Sequence, residues 1–294
     1  MHWTGQVESV AFTLFGKTIA WYGIIITAAM VIGLFVGIRL ARRTGIKSDD
    51  ALELFLIAIP LAIVGARLGW VFANLSKIHN FLDVIAVWDG GLTILTGAPM
   101  GILGGFIWCK WRKVNFWKLA DSVVFVILLS QGLGRWGNFM NQELYGVQVV
   151  TDPNMQWFPL SVFISRGGLM EWHPAAFFYE MVLDILFFFV LFYISRHLYL
   201  TGSGVLQYLC TYCIIRFVME FFRTSTDMFG IPHTAQIACA VGAVLSLGAI
   251  VFMAVRKVKR KEKIWYKDGI PDEFFIGTGI RRKQKEEKTP TPSV

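Results

Sequence analysis

The segment SVVFVILLSQGLGRWGNFMNQELYG, residues 122–146, joins an apolar run to a polar stretch that is rich in glycine. The apolar half carries no charged residue, whereas the polar half contains Arg135, Asn138, Asn141 and Glu143. Such a junction is typical of the place where a membrane-spanning helix meets the lipid–water boundary. The segment therefore predicts a chain that is folded in lipid.

The composition of the whole chain agrees with this interpretation. The chain has 294 residues, of which 55% are hydrophobic and 25 are Phe, and its mean hydropathy is +0.55. These values exceed what a soluble core of this size needs. The sequence predicts an all-α polytopic membrane protein.

Seven apolar runs alternate with polar or basic breaks, and most approach the roughly 20 residues that a spanning helix requires. The runs cover residues 18–40, 51–73, 92–108, 119–133, 174–194, 205–222 and 234–255. We therefore expect about seven transmembrane helices.

Lys and Arg are concentrated in the breaks after the first, third, fifth and seventh runs. Because short cytoplasmic loops carry such an excess, we expect the amino terminus outside and the carboxyl terminus in the cytoplasm. Residues 1–255 are then the membrane domain, with an extracytoplasmic segment at about 136–173. Residues 256–294 are expected to form a basic, largely disordered cytoplasmic tail.

The net charge of +8 does not indicate nucleic-acid binding. The basic residues border hydrophobic segments, so anionic lipid of the inner leaflet is the expected partner. Cys210 and Cys213 form a CxxC inside an apolar run, with no second pair or His nearby in the sequence. We therefore expect no metal site.

Polar side chains at membrane depth are costly unless they are paired or face water, and they mark candidate functional sites. The first cluster contains four glycines, at positions 132, 134, 137 and 146, which disfavour a regular helix. We expect the backbone to break after the fourth span and to present Gln131, Arg135, Asn138, Asn141 and Glu143 to a polar ligand. Alternatively, the stretch is an interfacial loop in which Arg135 reaches toward water.

A second cluster lies in IIRFVMEFFRTSTD, where Arg216, Glu220 and Arg223 are spaced i, i+4, i+7 and share one helical face. The two cations exceed the single anion, so one positive charge can bind a phosphate through its guanidinium group. Alternatively, Arg216 and Glu220 form a structural pair while Arg223 reaches the outer interface.

A third polar group lies in WHPAAFFYE, residues 172–180. Pro174 is suited to the start of the fifth span, and Glu180 inside that span is expected to be a buried hydrogen-bonding residue. We expect His173 to be a surface histidine at the interface.

The segment GRWGNFMNQELYG, residues 134–146, resembles the signature of the prolipoprotein diacylglyceryl transferases, roughly GRxGNFxNxExxG, and fills each of its fixed positions. Further segments agree in the order of that family. They are AWYG at residues 20–23, GARLGW at 65–70, VWDGG at 87–91, HP and YE near the fifth span, and RFVMEFFR at 216–223. The resemblance extends over residues from about 10 to 255.

This resemblance implies a multi-pass enzyme of the bacterial plasma membrane. Members of the family transfer the diacylglyceryl group of phosphatidylglycerol to the lipobox cysteine of prolipoproteins and release glycerol phosphate. The expected partners are phosphatidylglycerol and prolipoprotein signal peptides, and no cofactor or metal is implied. The alternative is a diverged member that transports a lipid or small molecule, because intramembrane charges and glycine-broken helices also build transport sites.

The resemblance also implies roles for individual residues. Arg135 and Arg216 are expected to bind the phosphate, and Tyr22 to position the glyceryl group or the thiol. The expected catalytic residues are Arg135, Arg216, Glu143 and Tyr22. The expected substrate-binding residues are Arg135, Asn138, Asn141, Gly146, Glu220 and Arg223.

One segment departs from the family pattern. After VWDGG many members have a histidine or tyrosine that has been proposed as a base, whereas this chain has Leu95, followed by Thr96 in place of a glycine. Either another group, such as Glu143, Glu220 or solvent hydroxide, takes the thiol proton, or the chain has altered activity. We expect the first, because the signature arginines and asparagines are all present.

Overall fold

The protein is seen here as a computed structural model. It describes residues 7, 9–14, 17–42, 46–87, 90–165, 168, 170–198, 200–222 and 234–267. In chain order the strands and helices are β1 (Val10–Leu14), β2 (Lys17–Ala20), α1 (Trp21–Ala41), α2 (Ser48–Ala73), α3 (Phe81–Ile85), α4 (Ile94–Trp111), α5 (Phe116–Val123), α6 (Val126–Met140), β3 (Ser161–Ile164), β4 (Glu171–Pro174), α7 (Ala176–His197), α8 (Ser203–Met219) and α9 (Thr234–Lys259). Short 3-10 turns lie at Leu75–Lys77 and Pro153–Met155.

The chain divides into two compact units. One comprises the described residues of Met1–Val36 and Val123–Ile270, and the other comprises those of Gly37–Ser122. In the first unit α6 packs on α7, α7 on α8, and α8 on α9. In the second unit α2 packs along α4, and α3 contacts α2.

Glycine and alanine allow the close packing of α2 and α4. A Cβ atom added at Gly97 would lie 2.9 Å from the Cβ of Ala66 and 3.0 Å from the carbonyl oxygen of Ala62. One added at Gly101 would lie 3.2 Å from the Cβ of Ala62. Because these positions lack side chains, the two helix backbones approach each other directly.

Arg67 on α2 is buried and holds the loop that leads to α4. Its guanidinium group donates hydrogen bonds to the carbonyl oxygens of Asp83 (2.5 Å), Val84 (2.9 Å), Gly90 (2.6 Å) and Gly91 (3.1 Å). Gly90 and Gly91 have φ values of 83° and 70°, a backbone region that favours glycine. Gly90 and Gly91 of the VWDGG segment are thus held by an arginine of the preceding GARLGW segment.

The fold is mainly helical, but it contains two antiparallel hairpins that the sequence did not predict. In the first, β1 pairs with β2, so α1 begins at Trp21 and not at residue 18. In the second, β3 pairs with β4, which includes Pro174, and α7 begins at Ala176. The predicted starts of the first and fifth spans were therefore a few residues too early, because the residues just before each helix pair as strands β2 and β4.

Within the described residues, four helices are long and apolar enough to cross a membrane, namely α1, α2, α7 and α9. The consecutive helices α5 and α6 make a fifth span if they are taken together as a bent pair. The remaining two predicted spans correspond to α4, with 18 residues, and α8, with 17. Both lie at the short end of the range of about 17–25 residues that cross a bilayer. The structure shows a multi-pass helical membrane protein with four or five candidate spans.

The predicted backbone break after residue 133 is wrong, because α6 continues through Gly132, Gly134 and Gly137 to Met140. Packing explains why a helix tolerates these glycines. A Cβ atom at Gly132 would lie 3.1 Å from the Cβ of Asp184, and one at Gly137 would lie 2.9 Å from the ring of Tyr22. Helix α6 therefore carries the signature residues Arg135 and Asn138 and ends just after them, at Met140.

The start of the predicted tail lies inside α9, which ends at Lys259. Trp265 then pairs with Leu198 at the end of α7 through an isolated bridge and stacks on the His197 ring at 5.4 Å. The amide of Tyr266 donates to the carbonyl oxygen of His197 at 2.9 Å. The rest of the predicted tail, from residue 268, lies outside the described residues.

Candidate active site

Arg135 lies on α6 and faces two buried carboxyl groups of α7. Its Nη2 atom donates to Glu180 Oε1 at 2.5 Å, and its Nε atom lies 3.9 Å from Asp184 Oδ2. Glu180 and Asp184 are each 2% exposed, whereas the Arg135 side chain keeps 18% of its surface accessible. Residues 180 and 184 are one helical turn apart, so both carboxyl groups reach the same guanidinium group.

The segment after α6 places the signature asparagines around Glu143. Asn138 Nδ2 donates to Glu143 Oε1 at 2.8 Å, and Asn141 Nδ2 lies 3.4 Å from the same oxygen. The Glu143 amide donates to the Asn138 carbonyl oxygen at 2.9 Å, which closes the turn. Gln142 and Leu144 flank Glu143 with φ values of 47° and 60°. This uncommon backbone turns the chain sharply, so that the Glu143 carboxylate returns to the end of α6.

Gly146 joins the signature to the end of β4. Its amide donates to the Pro174 carbonyl oxygen at 2.9 Å, and a Cβ atom at this position would lie within 2.8 Å of three Pro174 ring atoms. His173 is buried and its Nδ1 atom donates to the Gly146 carbonyl oxygen at 2.9 Å. The expectation of a surface histidine was therefore wrong, because β4 turns this side chain inward to bind the signature backbone.

Tyr22 lies at the start of α1 and packs on α6. Its ring covers Gly137, and its hydroxyl lies within electrostatic range of both Glu143 and Arg135. A side chain larger than hydrogen at position 137 would displace this ring. The tyrosine expected from the sequence is thus packed on the helix that carries Arg135.

Arg216 and Glu220 form the ion pair that the alternative interpretation of this cluster described. Arg216 Nη2 lies 2.9 Å from Glu220 Oε2, and Glu220 is buried at the carboxyl end of α8. Tyr212, one turn earlier on α8, is within electrostatic range of Arg216, Arg135 and Glu180. Arg223, the third charged residue of the predicted cluster, lies outside the described residues.

Among the described residues, no group of three or more His, Cys, Asp or Glu side chains is arranged to hold a metal ion. The polar groups of this site are instead arginines, carboxylates, amides and a phenol. Arginine binds phosphate oxygens through two parallel hydrogen bonds, and amide groups bind hydroxyls and carbonyls. The site is suited to an anionic phosphate ester with polar substituents.

Comparison with known proteins identifies the family. A sequence model described as prolipoprotein diacylglyceryl transferase matches residues 9–255. The chain belongs to the prolipoprotein diacylglyceryl transferase family. The resemblance seen in the signature is thereby confirmed over most of the chain.

Several named relatives of this family are similar along nearly their whole length. The phosphatidylglycerol–prolipoprotein diacylglyceryl transferase of Clostridioides difficile is 36% identical over 249 residues, which cover 84% of this chain and 96% of that protein. A relative of the same name from Clostridium perfringens is 36% identical, with 88% and 99% covered. One from Oceanobacillus iheyensis is 33% identical, with 90% and 93% covered.

The position at which many transferases of this family have a histidine or tyrosine lies in the second unit. Leu95 is the second residue of α4 and is 80% exposed within this unit. The neighbouring Thr96 packs against Gly69, where an added Cβ atom would overlap its hydroxyl group. Its hydroxyl donates to the Thr93 carbonyl oxygen at 3.2 Å. Thr96 is therefore accommodated because α2 has a glycine opposite it.

Two residues of this candidate site were not singled out from the sequence. Asp184 lies within the apolar run that predicted α7 and did not stand out there. Its i, i+4 spacing from Glu180 places both carboxyl groups on one helical face and could have indicated it. Tyr212 lies one turn before Arg216 and could have been found by the same helical spacing. The interpretation of Glu180 as a buried hydrogen-bonding residue is confirmed, and Arg135 is its partner.

Proposed function

We propose that this protein transfers the diacylglyceryl group of phosphatidylglycerol to the lipobox cysteine thiol of bacterial prolipoproteins. The sulfur forms a thioether bond with the glyceryl carbon, the bond from that carbon to the phosphate oxygen breaks, and glycerol phosphate leaves with the bonding electrons. Membership of the family supports this reaction. The observation that carries it is the arrangement of the signature residues, in which Arg135 is ion-paired with Glu180 and Asn138 is hydrogen-bonded to Glu143.

The two arginines are the residues that we assign to the phosphate. The phosphate gains negative charge as the carbon–oxygen bond breaks, so cations fixed beside it stabilise the transition state more than the ground state. Each arginine is held by a carboxylate, at 2.5 Å for Arg135 and 2.9 Å for Arg216. These partners fix the guanidinium groups before the lipid arrives, which reduces the reorganisation needed during the reaction.

The signature loop supplies groups for the substrate's hydroxyls and thiol. We assign Asn138, Asn141, Gly146, Glu220 and Arg223 to the pocket that binds the lipid headgroup. Glu143 and Tyr22 are placed to position the reacting atoms, and Glu143, Glu220 or solvent hydroxide takes the thiol proton. Only the thiolate is a good nucleophile, and a free cysteine thiol has a pKa about 1.5 units above neutral.

We propose seven spans in the plasma membrane, with the amino terminus outside and the carboxyl terminus in the cytoplasm. The distribution of Lys and Arg supports this arrangement. In it, α4 and α8 are short spans, and the signature loop lies at the outer boundary. That is the side on which an exported prolipoprotein presents its signal-peptide cysteine.

The direct test is transfer by the purified protein. Phosphatidylglycerol and a lipobox peptide are supplied in detergent, and mass spectrometry follows the mass of the peptide. We expect a diacylglyceryl adduct on cysteine, and no adduct on the matched peptide with serine in its place. Another member of the family is assayed in parallel as a control. If that protein is active and this one forms no adduct, the proposal is contradicted and lipid transport becomes the activity to test.

A further inference from the structure

Asp184 is a buried carboxyl group that the proposed reaction does not yet use. It lies on α7 and is 2% exposed, and a Cβ atom at Gly132 of α6 would come within 3.1 Å of its Cβ. Within the part of the chain that the structure describes, Asp184 Oδ2 accepts no hydrogen bond. A charged residue of α6, Arg135, lies beside this oxygen, with its Nε atom at 3.9 Å.

The geometry around Arg135 distinguishes the two edges of its guanidinium group. The Nε–H and one Nη2–H point along the side edge, whereas Nη1 and Nη2 together form the end edge. Glu180 takes Nη2 at 2.5 Å and Asp184 lies 3.9 Å from Nε. Asp184 therefore lies beside Nε, which belongs to the side edge alone, whereas Nη2, the donor to Glu180, belongs to both edges. The end edge is the one that can bind two phosphate oxygens in parallel.

The charges favour a positioning role for Asp184 over a role as a counterion. Glu180 already provides one negative charge at hydrogen-bonding distance from Arg135. A second carboxylate on the same cation would bury an unmatched charge, which is costly in this environment. An uncharged oxygen in the place of Oδ2 would still limit the rotation of the guanidinium group about the Glu180 contact.

We propose that Asp184 is a positioning residue that, together with Glu180, holds the side edge of Arg135 and turns its end edge toward the headgroup phosphate. This inference rests on the proposed function, because it assigns the end edge to the phosphate of the lipid substrate. Asp184 touches no reacting atom. It acts through Arg135, whose orientation decides whether the two phosphate contacts can form together.

The test compares Asp184→Ala with Asp184→Asn in the full-length protein. Asp184→Ala removes the oxygen, and misplacement of a binding group by about 1 Å costs on the order of 10²-fold in kcat/KM. Asp184→Asn keeps an oxygen at nearly the same position, so we expect its loss to be at least about tenfold smaller than that of Asp184→Ala. Equal losses in the two variants, or none in Asp184→Ala, would overturn the proposal.

A double-mutant cycle with Arg135→Lys separates positioning from a general effect on folding. Lysine has no guanidinium edge, so Asp184→Ala should cause little further loss of kcat/KM in the Arg135→Lys background. Fully additive losses would overturn the proposal. Gln207→Met is the matched control, because Gln207 is buried on α8, bonds to Ser203 and lies two and a half turns, about 13 Å along the axis, before Arg216. Its kcat/KM should stay near that of the wild type.

Lipid binding gives a second readout that does not depend on transfer. Native mass spectrometry counts the phosphatidylglycerol molecules retained by each variant in detergent. We expect Asp184→Ala to retain less lipid than the wild type, and Asp184→Asn and Gln207→Met to retain it. If the wild type binds lipid in this pattern but transfers nothing, the proposed reaction fails and the positioning role stands. Equal retention by all variants would overturn the positioning role.

Discussion

Arg135 shows how one residue serves both the structure and the proposed chemistry. It is fixed to α7 by Glu180 and keeps 18% of its side chain accessible. A lysine at this position would keep the charge but would present a single ammonium group. We therefore expect that the planar shape of the guanidinium group, as well as its charge, is needed for Arg135 to bind the phosphate.

We predict that Arg135→Lys and Arg216→Lys each lower kcat/KM strongly, and that the corresponding alanine variants lower it further. Loss of one transition-state donor typically costs about 10²–10³-fold. The measurement is the rate of thioether formation with phosphatidylglycerol as the varied substrate. Wild-type rates in both lysine variants would show that charge alone is sufficient.

Leu95 is a residue where the family pattern and this chain differ. We predict that Leu95→His changes the transfer rate little, because leaving-group stabilisation and the fraction of thiolate limit the reaction. The exposed leucine leaves space for the imidazole ring. Rates measured between neutral pH and the thiol pKa of the peptide should rise with pH in both proteins.

A wild-type protein that is silent, and that becomes active only as Leu95→His, would contradict this prediction. A positioned acid or base supplies about 10²–10⁴-fold. The two explanations of the missing histidine therefore predict different effects of Leu95→His on the transfer rate, and a rate assay resolves a difference of this size.

At the scale of elements, the glycines of α6 determine where its neighbours lie. They were expected to break the helix, because glycine has a poor intrinsic helix propensity. In the structure their missing side chains instead admit Tyr22 and the backbone of α7. Tertiary packing has overridden propensity, and a single sequence does not show which of the two prevails.

We predict that Gly137→Ala lowers transfer activity far more than Gly134→Ala. The added methyl group at position 137 would lie 2.9 Å from the Tyr22 ring, whereas at 134 it would lie 3.1 Å from the terminal Cδ1 of Ile26. A flexible isoleucine end can move, but an overpacked ring shifts at a cost of about 1–3 kcal/mol. Activity and thermal stability of both variants are to be measured together. Equal activities would show that the position of Tyr22 does not matter.

The elements that the sequence predicted well are the long apolar ones. Helices α1, α2, α7 and α9 follow from runs of about 20 apolar residues, and the Arg216–Glu220 pair follows from helical spacing. The hairpins were missed because β2 overlaps the run that predicted the first span, and because Pro174 at the end of β4 was taken as the start of the fifth span. Their partners β1 and β3 are strands of five and four residues, too short to stand out as a pattern. The contact of Arg135 with α7 was missed because it joins residues that are distant in sequence.

The topology of the whole chain can be tested by labelling residues on the two sides of the membrane. Single cysteines placed at Gln148 and Asp152 should react with a membrane-impermeant reagent from outside, and those at Lys113 and Lys259 should not. The excess of Lys and Arg in alternate breaks is the physical reason. Labelling in the reverse pattern would place the signature loop in the cytoplasm and contradict the proposed path of the prolipoprotein.

The central claim is that the glyceryl carbon is transferred to sulfur while the phosphate, held by Arg135 and Arg216, leaves with its oxygen. The most direct measurement uses phosphatidylglycerol carrying oxygen-18 in the bridge between the diacylglyceryl group and phosphorus. After reaction with the lipobox peptide, mass spectrometry locates the heavy isotope. Because the carbon–oxygen bond breaks, we expect all of the oxygen-18 in the released glycerol phosphate. We expect the peptide to carry an unlabelled diacylglyceryl thioether. Label in free diacylglycerol, with no thioether on the peptide, would contradict the account.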